Sequence, residues 1–376
     1  MKIDTVKGFA DMIGKTAEKR ALIKGVVQRT FEKYNFEQAE TPIIEYEEFV
    51  KANNPNDEAI SDIFKLQDKG GRNLALRYEF TFQLKRIAKN KKLPYKRFQI
   101  GPVFRDEPVQ GNRLRQFTQC DIDTIGSTIK DEAEILAVIK EILNTLKVKS
   151  VIYVNNRKLL NEILKELGIT DKENVIREID KLDSLSEPKV KENLKKYKAE
   201  KVLNIFKKKE SFFKKYKAYS EIEELKKYCE YYGFEVKFVP YLARGLSYYN
   251  GNVFEIKGAG IKETICAGGS YLVEGIQSAG ISLGLERLEL VTNILLELEK
   301  TLVVSLDKDR EAIKLVQKLR KQNKNVTIFY GKPSKALEYA NAYGMKQVIF
   351  VGAQEVKTKK FKIKIMKTGR QKTLKI

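Results

Sequence analysis

The sequence predicts an α+β protein in which a strand-rich block is interrupted by a helical stretch and followed by a small α/β domain. Three observations carry that expectation. Residues 301–350 alternate strand, helix, strand, helix, strand (TLVVSL, DREAIKLVQKLRKQ, NVTIFY, SKALEYANAYG, QVIFVG), the pattern of a partly parallel sheet. The run RQFTQCDIDTIG alternates side-chain character with period two, as one long strand does. From about 150 to 235 the chain turns Lys/Glu-rich at helical spacing. With 376 residues, 42% of them hydrophobic, the chain suffices for two or three domains and a substantial core.

In chain order, AEKRALIKGVVQRTFEKY (17–34) sets Ala21, Leu22, Val26 and Phe31 at helical spacing. NFEQAETPIIEYEEF follows, and Pro42 favours extended chain there. NLALRYEFTFQLKRIAKN reads as a short strand entering a helix, and YKRFQIGPVF as a strand. DEAEILAVIKEILNTL is an amphipathic helix with Ile135, Val138, Ile139, Ile142 and Leu146 on one side. VIYVNNRKLLNEILKELGI reads as strand then helix, and short helices without long apolar faces run on to about Tyr232. Strands and glycines return from Glu235 to Leu298, ending in a helix, and KFKIKIMKTGRQKTLKI closes the chain as a hairpin. The expected divisions are 1–149 and 236–299 for two parts of one strand-rich domain, 150–235 for a mostly helical insertion, and 300–376 for the α/β domain.

Composition narrows the chemistry. No stretch approaches the roughly 20 apolar residues of a membrane span, and MKIDTVKGFADMIGKT lacks the apolar core of a secretory signal, so a cytoplasmic protein without membrane contact is expected. Cys120, Cys229 and Cys266 are far apart and form no CxxC, which fits a reducing compartment and no thiolate metal site. There is no histidine, which excludes Ser-His-Asp triads, histidine bases and histidine metal ligands. The net charge of +22 fits a phosphate-rich partner and equally a Lys-rich proteome. GFADMIGKT is not a phosphate-binding P-loop, because five residues separate Gly8 from Gly14 where four are needed.

The stretch FRDEPVQGNRLRQFTQCDIDTIG (104–126) concentrates the chemistry. As a strand it sets Arg115, Phe117, Gln119, Asp121 and Asp123 on one face, an unusual set for a merely solvated surface and a good lining for a polar ligand with an aromatic part. Arg105, Arg113 and Arg115 around the glycine-containing turn suit phosphate oxygens.

Phe104-Arg105-Asp106-Glu107, a basic loop and Arg115-Gln116-Phe117 together resemble motif 2 of class II aminoacyl-tRNA synthetases. GISLGLERLEL, with Arg287, resembles their motif 3, and FEKYNFEQAETPIIE, with Pro42, their motif 1. LARGLSYYNGNVFEI and CAGGSY are similar to the signature segments of the histidyl-tRNA synthetase family, and NLALRYEFT and QCDID to its archaeal and eukaryotic branch. The resemblance implies a catalytic domain whose mixed, mainly antiparallel sheet of six or seven strands is flanked by helices. It also implies an anticodon-binding role for the C-terminal α/β domain.

The same resemblance implies ATP, carrying Mg²⁺ without a dedicated protein metal site, L-histidine and tRNA(His) as ligands, and a homodimer. Arg105 would hold the α-phosphate, Phe117 and Arg287 would sandwich adenine, and Glu107 would meet its edge. Arg244 would bridge the amino-acid carboxylate and α-phosphate. Glu79, Thr81 and Gln119 would receive the α-amino group, and Asp123 and Tyr249 would bracket the imidazole, one accepting its N–H and the other donating to its bare nitrogen. Tyr248 and Tyr271 would line the same pocket, and Gly268 and Gly269 would allow close backbone approach. Gln110, Arg113 and Arg115 would touch the tRNA acceptor end. Ser247, Ser270 and Leu272 depart from the family pattern, and the connection from Gly269 to motif 3 is short. The competing expectation is a catalytically silent relative, such as the regulatory subunit of ATP phosphoribosyltransferase.

Overall fold

The computed structural model describes residues 3–51, 61–109, 114–244, 248–258, 264–294 and 299–375. Gln110, Arg113 and Ser247 lie outside the described residues. The chain divides into two compact units, Met1–Ile294 and Leu295–Ile376.

The first unit opens with the helix Gly14–Lys33. Its buried stripe is Ile23, Val26, Val27, Thr30 and Phe31, so the inward face is turned from the expected one, and Ala21 is exposed. Strand β1 (Glu37–Gln38) leads to a three-stranded antiparallel sheet of β2 (Ile44–Tyr46), β3 (Lys65–Gln67) and β4 (Asn73–Leu76), in the order β2-β4-β3. The long strands β5 (Tyr95–Phe104) and β6 (Gln116–Ile125) flank the motif 2 loop, and the helix Ile129–Thr145 buries the expected apolar side, Leu146 included. Then come β7 (Ser150–Asn156), a run of short helices ending with Tyr219–Tyr231, β8 (Lys237–Phe238), β9 (Tyr249–Gly258), β10 (Thr264–Val273), β11 (Ile276–Gly284) and the helix Leu285–Val291.

The main sheet runs β1-β5-β6-β11-β10-β9-β7-β8. Its long strands pair antiparallel, and its two-residue edges β1 and β8 pair parallel, which makes it mixed and brings it to eight strands instead of six or seven. The short edges carry no periodicity that a sequence reading could use. The hairpin between β10 and β11 explains the short approach to motif 3. Val273 faces Ile276 across a two-residue turn, with Glu274 at φ 48° and Gly275 at φ 79°, the two left-handed residues of a type I′ turn.

The two faces of this sheet differ. On one, Phe98, Cys120, Ile122, Phe254, Ile256 and Ile281 pack against the first helix and Ile129–Thr145. The helical segment joins that same core through Leu159, Leu160, Ile163, Val175 and Ile179, and its first strand, β7, is a sheet member, so its apolar faces, though short, are fully used. The other face is where the charged residues of β5 and β6 point. All three cysteines are buried and unpaired. Among the described residues, no helix is long and apolar enough to cross a membrane.

The second unit is a five-stranded sheet in the order β13-β12-β14-β15-β16: β12 (Lys300–Ser305), β13 (Asn325–Tyr330), β14 (Gln347–Val351), β15 (Lys360–Ile365) and β16 (Gln371–Lys375). β12 pairs parallel with β13 and β14, with the crossover helices Asp309–Lys321 and Pro333–Ala342 between them, while β15 and β16 form the antiparallel hairpin.

Candidate active site

Cross-strand register builds the site. Along β5 and β6, Arg97 faces Asp123, Gln99 faces Asp121, and Gly101 faces Gln119. On the other side of β6, Asp121 faces Ser282 and Asp123 faces Gly280 of β11. Gln119, Asp121 and Asp123 are each at most 5% exposed, so the charged face is an interior one, contrary to a solvated strand.

Three groups of contacts lie along this face. The Arg105 guanidinium lies 5.2 Å from the Phe117 ring centre, donates to Tyr78 O at 3.3 Å and to Gln119 Oε1 at 3.5 Å, and stands 3.9 Å from Glu107. Gln119 donates to Asp121 at 3.2 Å and to Ser282 Oγ at 2.6 Å. Asp123 accepts from the Tyr271 hydroxyl and pairs with Arg97 at 2.8 Å. The Tyr248 ring sits 4.7 Å from Tyr249 and 5.5 Å from Tyr271, and Tyr249 and Tyr271 face each other across β9 and β10. Arg244 donates to Glu255, which accepts from Thr264 Oγ1 at 3.2 Å, and Arg287 donates to Thr264 O at 3.0 Å.

Glu79 is buried and contributes to the electrostatic surroundings of Tyr248 and Tyr249, while Thr81, half-buried, begins the turn into Leu84. Residues from separated segments are thus grouped as Arg105, Glu107, Phe117 and Gln119, as Asp123, Tyr248, Tyr249 and Tyr271, and as Arg244 and Arg287 through Glu255 and Thr264. Arg115 is committed differently: it donates to Glu107 O at 3.1 Å, pairs with Asp106 at 3.1 Å, and its backbone N–H donates to Gly8 O.

The electrostatics follow from burial. Asp121 is pushed up to about 7 by burial and by Asp123, with Arg97, Ser282 and Gln119 opposing. Burial also raises Asp123, against the Arg97 charge and the Tyr271 hydrogen bond. For Arg244, burial favours loss of the proton, but Glu255, Tyr249 and Asp180 outweigh it and hold the guanidinium charged. Asp180, at the end of the helix Lys172–Asp180, is pushed up to about 6 by burial. Among the described residues, no group of three or more acidic or cysteine side chains is arranged to hold a metal ion.

Close backbone approach shapes the floor. A Cβ on Gly268 would lie 2.1 Å from Gly280 O, and one on Gly269 would lie 2.8 Å from the Tyr249 ring. Ser270 points to the opposite side of the sheet and donates to buried Glu132 at 2.5 Å, whereas Leu272 is exposed. Behind β6, Glu286 accepts the Thr118 N–H at 3.0 Å and pairs with Arg20 at 2.7 Å, fixing the start of the motif 3 helix against β6.

The family model described as histidyl-tRNA synthetase matches residues 8–288, and one described as an anticodon binding domain matches residues 300–376. The chain belongs to the histidyl-tRNA synthetase family. A histidine–tRNA ligase 1 from Bacillus anthracis is 31% identical, with 98% of this chain and 97% of that protein aligned. A histidine–tRNA ligase from Helicobacter hepaticus is 32% identical over 98% of this chain and 95% of that protein. The crystal structure of a histidyl-tRNA synthetase from Nostoc superposes with a TM-score of 0.86 at 26% identity, covering 100% of this chain and 97% of that one. These members of the histidyl-tRNA synthetase family are bacterial, so the expected archaeal and eukaryotic branch is not supported.

Arg97 is the residue that sequence reasoning missed. Its signal lay in pairing: the polar positions 97 and 99 of YKRFQIGPVF repeat with the same period as 121 and 123 of the next strand, and a tight register sets them side by side.

Proposed function

We propose that the chain is a histidine–tRNA ligase that activates L-histidine with ATP and transfers it to the 3′ end of tRNA(His). The buried polar face that carries Gln119, Asp121 and Asp123, with Arg105 donating to Gln119 and Tyr271 to Asp123, supports the reading. The histidine carboxylate attacks the α-phosphorus of ATP, a P–O bond forms, and pyrophosphate leaves. A terminal ribose hydroxyl of tRNA then attacks the adenylate carbonyl, giving the ester and AMP. Both steps depend on positioning and charge neutralisation, which suits a chain without histidine.

Arg105 holds the α-phosphate. Adenine lies between Phe117 and Arg287, with Glu107 at its edge. Arg244 spans the amino-acid carboxylate and α-phosphate, and its pairing with Glu255 orients its guanidinium. Glu79, Thr81 and Gln119 take the α-ammonium. Asp123 accepts the ring N–H, Tyr249 donates to the bare nitrogen, and Tyr248 and Tyr271 close the pocket around it. A pocket of buried polar partners rejects analogues lacking those groups by roughly 10⁴- to 10⁵-fold. Mg²⁺ enters with ATP as a counter-ion of its phosphates.

Residues 1–149 and 236–299 form the catalytic part, 150–235 the insertion and 300–376 the anticodon-binding part. The acceptor end meets the 110–115 loop. Homodimerisation uses the motif 1 side: exposed Tyr46, Leu93 and Ile276 line one cleft of about 770 Å³, and exposed Ile44 adjoins it on β2. The protein acts in the cytoplasm.

ATP–pyrophosphate exchange with each amino acid in turn tests the function. Exchange should depend on histidine alone, and Arg244→Ala should abolish it while tRNA binding persists. No exchange with any amino acid from folded protein would favour the silent regulatory-subunit alternative, which has the weaker support.

A further inference from the structure

We propose that Arg97 is a positioning residue that holds the Asp123 carboxylate oriented as the acceptor of a ring N–H, so that the pocket selects the neutral imidazole form of its amino acid. The inference rests on the histidine pocket described above and adds a residue and a charge rule to it.

Arg97 is 0% exposed and sits directly opposite Asp123 in the β5–β6 register. One of its terminal nitrogens, Nη2, donates to Phe80 O at 3.0 Å, next to Glu79 and Thr81, and forms an ion pair at 2.8 Å with Asp123 Oδ2, which has no hydrogen-bond partner among the described residues. Arg97 thereby joins the strand bearing Asp123 to the segment bearing the proposed ammonium acceptors. Its Nε and Nη1 have no hydrogen-bond partner among the described residues. A buried guanidinium with unmatched donors is costly, and a whole buried ion pair is often replaceable by apolar residues without loss of stability, so the Arg97–Asp123 pair is read through what it does to the Asp123 carboxylate.

Asp123 is pinned on two sides. Arg97 approaches one oxygen and the Tyr271 hydroxyl donates to the other. Burial raises this carboxyl above its ordinary value, and the adjacent Arg97 guanidinium and the Tyr271 hydrogen bond both oppose the rise. A protonated Asp123 would be a poorer acceptor for a ring N–H. An ionised Asp123 beside Arg97 forms a pair of zero net charge, which accepts from a neutral ring but gains little from an imidazolium, whose charge also faces Arg97. The charged and titratable groups around Asp123 are Arg97, Asp121, Tyr271 and Tyr249, with Glu79 beyond Tyr249. Protonation of Asp121 on acidification makes the site less negative and so works in the same direction.

The test uses full-length Arg97→Met and Arg97→Lys in histidine-dependent pyrophosphate exchange, with circular dichroism as the check on folding. Loss of a charge-assisted contact to a buried carboxylate predicts a KM for histidine raised about 100-fold in the Met variant, with the KM for ATP within about 3-fold. The Lys variant should recover at least about 10-fold of that loss. A Met variant that loses kcat with the histidine KM unchanged, or a folded Lys variant no better than Met, overturns the proposal. Should the Met variant not fold, wild type still decides: its histidine KM should rise about tenfold per pH unit below roughly 6.5, where free imidazole protonates, with the ATP KM steady. A flat histidine KM from pH 7.5 to 5.5 overturns the proposal. Wild type lacking histidine-dependent exchange sinks the parent function instead, so the two failures are distinguishable.

Discussion

At the scale of single residues, the proposed histidine pocket is controlled by atoms that are not there. Gly280 faces Asp123 across the β6–β11 ladder, and a Cβ on it would lie 2.1 Å from Asp123 Oδ1 and 2.9 Å from Ile122 O. The carboxylate has no easy escape, because Tyr271 donates to one of its oxygens and the Arg97 guanidinium stands 2.8 Å from the other. Gly280→Ala should therefore raise the histidine KM by about 10-fold or more and cost about 1–3 kcal/mol of stability, with the ATP KM nearly unchanged. Steady-state exchange kinetics and denaturant melts check both parts, and an unchanged histidine KM would remove Asp123 from the imidazole site. Gly268 meets Gly280 O and Ile281 Cα, backbone against backbone, so alanine there should damage folding more than binding.

At the scale of elements, the helix Ile129–Thr145 is tied to the sheet by a buried carboxyl as well as by its apolar side. Glu132 accepts from Ser270 Oγ at 2.5 Å and Asn252 Nδ2 at 2.7 Å, and Asn156 donates to Asn252 at 2.8 Å and to Glu221 at 2.8 Å. The departure at Ser270 is thus part of a polar network joining β7, β9, β10 and two helices. Burial pushes Glu132 up to about 7. Because this folded-state value is raised, the folded protein keeps a proton that the unfolded chain releases above about 4.5. The Glu132 contribution to stability therefore falls by about 3 kcal/mol as pH rises from about 4.5 to about 7, and is flat beyond. Glu132→Gln, which mimics the protonated carboxyl, should gain stability relative to wild type across that window. Urea melts from pH 5 to 8 read the gap; a gap that does not change with pH would show Glu132 to be ionised when folded.

Much at this scale was legible. The helices at 129–145 and 309–321 and the long strands β5 and β6 announce themselves because their apolar or polar positions repeat over ten or more residues. The two-residue edge strands and β3 carry too little repeat to be read, whereas β4 lies in the short strand read at NLAL and β2 in the extended chain after Pro42. The residues proposed for the site, such as Arg105 and Tyr249, were named by motifs. Arg97 and Glu255 acquire meaning only from pairing between segments 26 and 11 residues removed from their partners, which a linear pattern does not encode.

At the scale of the whole molecule, charge and cores divide together. Residues 300–376 hold 20 Lys and Arg against 5 Asp and Glu, a net +15 of the chain's +22. Clustering of that kind favours a polyanionic partner over a proteome-wide lysine bias. The same residues own their cores: Val303, Leu315, Val316 and Ile349 form one cluster, and Leu302, Val304, Ala336 and Val348 another. Every described residue of the proposed adenylation site belongs to the unit ending at Ile294. A chain stopped at Ile294 should therefore keep histidine-dependent pyrophosphate exchange within about 5-fold, while aminoacylation of tRNA falls by about 100-fold or more through lost phosphate and base contacts. The intact chain's affinity for tRNA should also drop more steeply with added salt than that of the truncated chain, since fewer phosphates are neutralised without the basic unit. Equal salt slopes for the two chains would place the tRNA grip outside residues 300–376, and loss of exchange on truncation would show that the adenylation site needs the second unit.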